Sequence, residues 1–173
     1  MDLYENYHPN KSLKGTGFKN KEKAKNTIKL IKYRSLKYQF DVINTMYNRA
    51  KFHPNQTKEM RDAMNIFKNW LKKYKERKEK EEKEYPILPF DVVKKYAEKY
   101  QIENDFYNIL KKYKGKIYKL QYIPIGKYDY FSMRNKYIKD NKNIKYFKKN
   151  GEPTKKHLNL ILYSFSPYIQ NGK

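Results

Sequence analysis

The sequence contains no cysteine, so disulfides, thiol nucleophiles and cysteine metal ligands are excluded. No apolar run approaches the ~18 residues of a membrane-spanning helix. The opening residues, MDLYENYHPN, lack a basic stretch followed by an apolar one, so a secreted protein is not expected. The three histidines, His8, His53 and His157, are scattered and form no metal-ligand pattern. His8 and His53 each precede a proline, which points to turns. Neither a nucleophile elbow nor a Walker loop occurs. We therefore expect no enzyme, with no catalytic residue, metal ligand or cofactor. Acidic residues are also scarce, 18 against 41 Lys and Arg, which leaves a net charge of +23.

What is abundant is lysine and tyrosine. The chain has 173 residues, enough for one domain or two small ones. Tyr and Phe number 19 and 9 in a chain that is 38% hydrophobic, so an aromatic-rich core can form despite the charge. Lys, Asn, Tyr and Ile, the amino acids of A- and T-rich codons, make up 86 of the 173 residues. Codon bias thus inflates the lysine count, and the placement of charge says more than its total.

That placement is uneven. Residues 1–71 carry +9, residues 72–84 carry +2, and residues 85–173 carry +12. Segment 72–84, KKYKERKEKEEKE, has twelve charges and no Gly or Pro. Lys, Arg and Glu favour helix, so it reads as the solvated end of a helix bridging two modules, stopped by Pro86 and Pro89.

The expected fold is mainly α with a small β element: an N-terminal three-helix module joined by a charged helix to a C-terminal α+β module. The divisions are an N-terminal arm over 1–19, the three-helix module over 20–71, the bridge over 72–84 and a basic module with a helical hairpin over 85–173. In the first module Asn20 caps a helix with Ala24, Thr27, Ile28 and Ile31 at i, i+3, i+4 and i+7. A second helix over about 36–50 shows Leu36, Phe40, Ile43, Tyr47 and Ala50. After the His53-Pro54-Asn55 turn, a third starts near Thr57, with Met60, Ala63, Met64, Phe67, Leu71 and Tyr74 on its buried face and Trp70 beside it. In the second module helices are expected over 91–100 and 105–113, with Gly115 as a stop. Residues 117–125 lean to β, Ser132 caps a short helix to about Asp140, and 144–147 with Asn150-Gly151 suggests a strand and tight turn. Pro153-Thr154 opens a last helix.

Several motifs bear on function. Gly15-Thr16-Gly17 precedes a helix and sits beside Lys14 and Lys19, but no strand precedes it; an entry turn explains it better than a phosphate loop. Gly115–Tyr118 with Tyr122–Gly126 faintly resembles the paired motifs of GIY-YIG nucleases, with Arg134 as the arginine. The tyrosines stand too close together for two strands, and Pro124 interrupts the second motif. The two helices over 91–113 read as a helix–turn–helix, in which Tyr107, Asn108, Lys111 and Lys112 line the second helix. Asn suits adenine, and Lys suits guanine or phosphate. Gln101 stands where glycine often eases the turn, and an ordinary core hairpin is the alternative.

Residues 110–156 hold 15 Lys or Arg against three acids, Asp129, Asp140 and Glu152, with tyrosines interleaved. Basic groups neutralise phosphates, and exposed aromatics stack on bases. Lys114, Lys116, Lys119, Arg134, Lys136, Lys148, Lys149, Lys155 and Lys156 join the hairpin residues as candidate nucleic-acid contacts. Arg49 and Lys51, with Arg61 across the turn, form a second cluster, either a phosphate site or a cap or salt bridge with Asp62 or Glu59.

Two stretches, 15–71 and 151–167, with the motifs NRAKFHPNQT and PTKKHL, resemble an uncharacterised group of small proteins from nucleocytoplasmic large DNA viruses, the algal-virus and mimivirus relatives. The resemblance implies a viral origin and a place in the infected host cell (nucleus or cytoplasmic viral factory) or the virion. It carries over no activity or site residue. The expected function is a basic, non-enzymatic viral protein that binds nucleic acid, DNA more than RNA, for genome organisation or packaging. The alternative is a virion scaffold whose lysines face acidic capsid or tegument proteins.

Overall fold

The computed structural model describes residues 13–169. They form eight α-helices, one 3₁₀ segment and a two-strand ladder, a mainly α fold with a small β element. Two compact units are present; the first ends at Lys78 and the second starts at Glu79.

In the first unit α1 spans Lys21–Ile31, α2 Leu36–Lys51 and α3 Lys58–Lys72. Each begins where a side chain satisfies an otherwise orphaned amide. Asn20 Oδ1 accepts from Lys23 N at 2.8 Å, Ser35 Oγ from Tyr38 N at 3.4 Å, and Thr57 Oγ1 from Met60 N at 3.2 Å. The helices bury Ala24, Ile31, Ile43, Ala63, Phe67 and Trp70 in one cluster. Burial of a side chain such as Ile31, Ile43 or Phe67 stabilises by about 1.5–3 kcal/mol. Trp70 lies inside that core rather than beside it.

The charged segment is not the tail of α3. The Lys73 amide bonds to the Trp70 carbonyl at 3.1 Å, a tightened last turn, and a separate helix α4 follows over Tyr74–Glu84. The Tyr74 ring explains the break: it stacks on Phe40 at 4.4 Å and on Trp70 at 6.1 Å. No residue of α4 is buried.

The second unit contains α5 Phe90–Tyr100, α6 Asp105–Lys112, α7 Tyr130–Asn141 and α8 Lys155–Leu162. Leu160, Ile161 and Leu162 are consecutive and all buried, so the C-terminal end of α8 is covered around most of its circumference, while Lys155 and Lys156 at its start stay exposed. It packs on α5 through Val93, Ala97 and Ile161, and meets α7 through Ile138 and Leu160. A further cluster joins Phe106 and Leu110 of α6 to Leu120.

Three expectations need correction. Residues Ile117–Tyr122 form a 3₁₀ helix, which carries Leu120 inward against α6; only β1 Pro124–Ile125 and β2 Tyr128–Asp129 are extended, paired antiparallel. Ser132 is not the cap of α7. Asp129 is, and Ser132 completes a capping box, with Ser132 N to Asp129 Oδ1 at 2.7 Å and Asp129 N to Ser132 Oγ at 3.0 Å. The strand expected at 144–147 shrinks to a single bridge, Phe147 to Pro153, closed by a turn with Gly151 at φ +83°.

Candidate nucleic-acid interface

The expected contacts separate into three groups. Two are removed from the surface. Arg134 is fully buried, and its guanidinium spends its donors on the protein. Nε donates to the Tyr163 carbonyl at 2.8 Å. Nη1 donates to the Tyr85 carbonyl at 3.1 Å and to Asn135 Oδ1 at 2.7 Å. Nη2 donates to the carbonyls of Pro86 at 2.8 Å and Ser164 at 3.0 Å. Burial pulls its pKa down to about 9 and the Glu81 carboxylate pushes it up, so the group stays charged at neutral pH. Burial likewise raises the Glu81 carboxyl, against the pull of Arg134. Arg134 therefore fastens chain segments together and touches no outside phosphate. Tyr107 is also buried, packed with Val93, Ala97 and Ile161, and cannot line a reading face.

These placements also change the hairpin. The residues between α5 and α6 turn through Gln101 in the left-handed region, φ 51°, so glutamine takes the conformation in which glycine is usual. Asn104 caps α6 and donates to Asn159 Oδ1 of α8 at 2.8 Å. Asn108 is half-buried. The outward base-reading row of a helix–turn–helix is thus not formed: Tyr107 turns into the core, and the pair wraps α8. The nuclease-like tyrosines, Tyr118 and Tyr122, share one 3₁₀ segment rather than two strands, and Arg134 lies in the core.

A second group is exposed but already paired. Lys111 Nζ is 3.9 Å from Glu103 and 4.8 Å from the Tyr107 ring centre. Lys136 pairs with Asp140, and Lys148 with Glu152 at 3.3 Å. Lys51 lies over the rings of Tyr47 and Phe52. Arg49 belongs to none of the groups: it is half-buried, makes no ion pair with Asp62 or Glu59 among the described residues, and leaves its Nε buried without an acceptor.

The third group is exposed and without an acidic partner among the described residues: Lys112, Lys114, Lys116, Lys119, Lys149, Lys155 and Lys156. The first four fall within eight residues at the C-terminal end of α6 and the start of the 3₁₀ segment. Backbone geometry holds them apart from the core. Lys114 is left-handed at φ 52° and Gly115 follows at φ 72°, with the Gly115 amide bonded to the Leu110 carbonyl at 3.1 Å. Gly115 is required here: an added Cβ would lie 2.3 Å from Phe90 Cγ. The 3₁₀ segment then presents Tyr118 and Tyr122, 56% and 52% exposed, beside these lysines. Sequence reasoning named those tyrosines without selecting them, because composition does not tell a surface ring from a core ring.

The glycine pair near the N-terminus forms an entry turn. Gly17 N donates to Thr27 Oγ1 at 2.9 Å, and Asn26 Nδ2 donates to the Gly15 carbonyl at 3.3 Å, so the Gly17 amide is already used. His8 lies outside the described residues. His157 is buried: Nδ1 meets the Tyr146 carbonyl at 3.0 Å and Nε2 meets Ser166 Oγ at 2.9 Å. A carbonyl only accepts, so Nδ1 carries the proton and Nε2 accepts from the serine. Among the described residues no cluster of three potential metal ligands occurs, and no helix is long and apolar enough to cross a membrane. No family model, curated protein or solved structure matches the chain.

Proposed function

We propose that the protein is a non-enzymatic, basic nucleic-acid-binding protein that holds DNA chiefly through phosphate contacts. The observation that carries this reading is the run Lys112, Lys114, Lys116 and Lys119: exposed, without acidic partners among the described residues, and flanked by the exposed rings of Tyr118 and Tyr122. Four like charges this close repel one another unless an anion lies across them. Phosphates supply that anion and release counterions on binding. The two tyrosines add stacking surface for an unpaired base. Lys149, Lys155 and Lys156 extend the supply of uncompensated charge. The viral resemblance makes a DNA genome the natural target, with organisation or packaging as the role.

Binding to duplex DNA, measured from ~50 mM salt upward, is expected to fall steeply, with a log–log slope of about 0.9 per phosphate neutralised. Charge reversal of Lys112, Lys114, Lys116 and Lys119 together is expected to flatten that slope by about 3–4. Absence of duplex binding at ~50 mM salt refutes the proposal.

A scaffold role in the virion is the second reading. Its support is a set of exposed large apolar side chains, Phe52, Ile87 and Tyr168 among them, of the kind that anchor protein interfaces. Retention of the protein in particles stripped of DNA would favour it.

A further inference from the structure

The second unit holds a cavity of about 330 Å³, lined on one side by Tyr96 and Tyr100 of α5 and on the other by Phe147 and the turn that follows it. That volume lies at the lower end of ligand clefts, about 300–1,000 Å³. The Tyr96 and Tyr100 rings lie nearly parallel, 6.1 Å apart and inclined by 18°. Phe147 meets His157 edge-to-face at 5.1 Å. His157 also lines the cavity, but both of its ring nitrogens are occupied, and burial holds its pKa below the usual histidine range. Ser166 Oγ accepts from the amides of Tyr168 and Ile169 as well as donating to His157, so the pair is a structural clamp rather than a nucleophile and base. The cavity thus gains a neutral aromatic surface from this histidine.

The polar groups of the cavity are few and specific. Glu152 Oε2 accepts from Lys148 at 3.3 Å and from Asn150 at 3.2 Å; Oε1 has no protein donor among the described residues. The Asn150 and Lys148 bonds hold the Glu152 carboxyl below its usual range, so it is ionised and can only accept. Lys99 lines the same cavity, Lys149 belongs to the turn, and Lys155 and Lys156 follow it, all exposed.

We propose that this cavity takes one unstacked base of a single-stranded nucleic acid and prefers cytosine to thymine. The inference rests on the nucleic-acid reading above and specifies its ligand. Stacking partners are present in Tyr96, Tyr100 and Phe147, and base–aromatic stacking is indifferent to sequence. Selection comes from Glu152. The cytosine N4 amine donates to a carboxylate; thymine sets a carbonyl oxygen at that position, which a carboxylate repels. The surrounding lysines receive the phosphates on either side of the inserted base.

The test uses the full chain and three labelled strands of about 12 nucleotides, within the ~4–16 that single-strand sites cover: oligo-dC, oligo-dT and an abasic strand. Fluorescence anisotropy at ~50 mM salt gives the affinities. Oligo-dC is expected to bind about 5-fold tighter than oligo-dT, the lower end for a base-edge contact. It is expected to exceed the abasic strand by about 5- to 150-fold, the range for one stacked base. Glu152 is exposed, so Glu152→Gln keeps the fold, and it should bring dC and dT to parity. Equal binding of all three strands overturns the base pocket and leaves phosphate binding standing. A dC preference that survives Glu152→Gln also overturns it. If neither these strands nor duplex DNA binds, the nucleic-acid reading fails and the pocket fails with it.

Discussion

Replacing Arg134 with methionine keeps most of the side-chain volume and removes every guanidinium donor. Three backbone carbonyls, those of Tyr85, Pro86 and Tyr163, then lose their donor, while the Ser164 carbonyl keeps the Leu88 amide at 2.7 Å. Each buried acceptor left unsatisfied costs about 1–3 kcal/mol. The three costs do not simply add, since the segments relax together and the desolvation of the charge is relieved. Breaking one side of a buried charged network typically costs about 3–5 kcal/mol, and we expect that range here. At about 4–8 °C per kcal/mol for a domain of this size, the melting temperature should fall by at least about 12 °C. Scanning calorimetry reads this directly. Arg134→Lys should fall between the two, because a single ammonium has three donors and no planar fork. Below the new transition, DNA affinity per folded molecule should match wild type, since no phosphate reaches Arg134. A shift smaller than about 4 °C would refute the reasoning that these bonds hold the segments together. Lost DNA affinity in a folded variant would refute its removal from the interface.

Two further outcomes follow from the second unit. Gly115→Ala combines a left-handed backbone, costing about 1–2 kcal/mol for a residue with Cβ, with an overlap against Phe90. A stability loss of about 2 kcal/mol or more is expected by denaturant titration, partly recovered when Phe90 is also shortened. His157 gives a pH signature. Burial lowers its folded pKa below the unfolded value of 6.5, so on acidification the unfolded chain takes up the proton first. Stability should therefore decline as pH falls from 6.5 toward the folded pKa, and His157→Gln should abolish that slope; an unchanged slope in thermal melts would refute the assignment.

Much of the fold was legible because its causes are local. Asn20 was read as a cap and is one, and the helices expected to start near Thr57 and at Pro153-Thr154 do begin there, capped by Thr57 and Thr154, since a cap needs only its own side chain and the amide three positions on. The apolar repeats of α1 to α3 did the same for buried faces. The 117–125 segment was misread because β-branched and aromatic residues there serve a 3₁₀ turn whose purpose, seating Leu120 against Phe106 and Leu110, is a tertiary contact. The candidate interface was legible only as a density of lysine. Which lysines lack acidic partners depended on Glu103, Asp140 and Glu152, and for Lys111 that partner stands eight residues back, in the turn before α6.

By itself the sequence determined the helical class, some of the cap residues, the exclusion of cysteine chemistry and the uneven spread of positive charge. Each of these depends on residue identity or on neighbours within a helical turn. The tertiary structure decided which charges and rings face water. Arg134 was a surface cation by sequence and is a core residue in the fold, because its acceptors are carbonyls at 85, 86, 163 and 164, far from it along the chain. Tyr107 was an outward ring on a helix and is packed against α8 for the same reason. Burial depends on which distant segments meet, and nothing in the residues next to Arg134 or Tyr107 records that meeting.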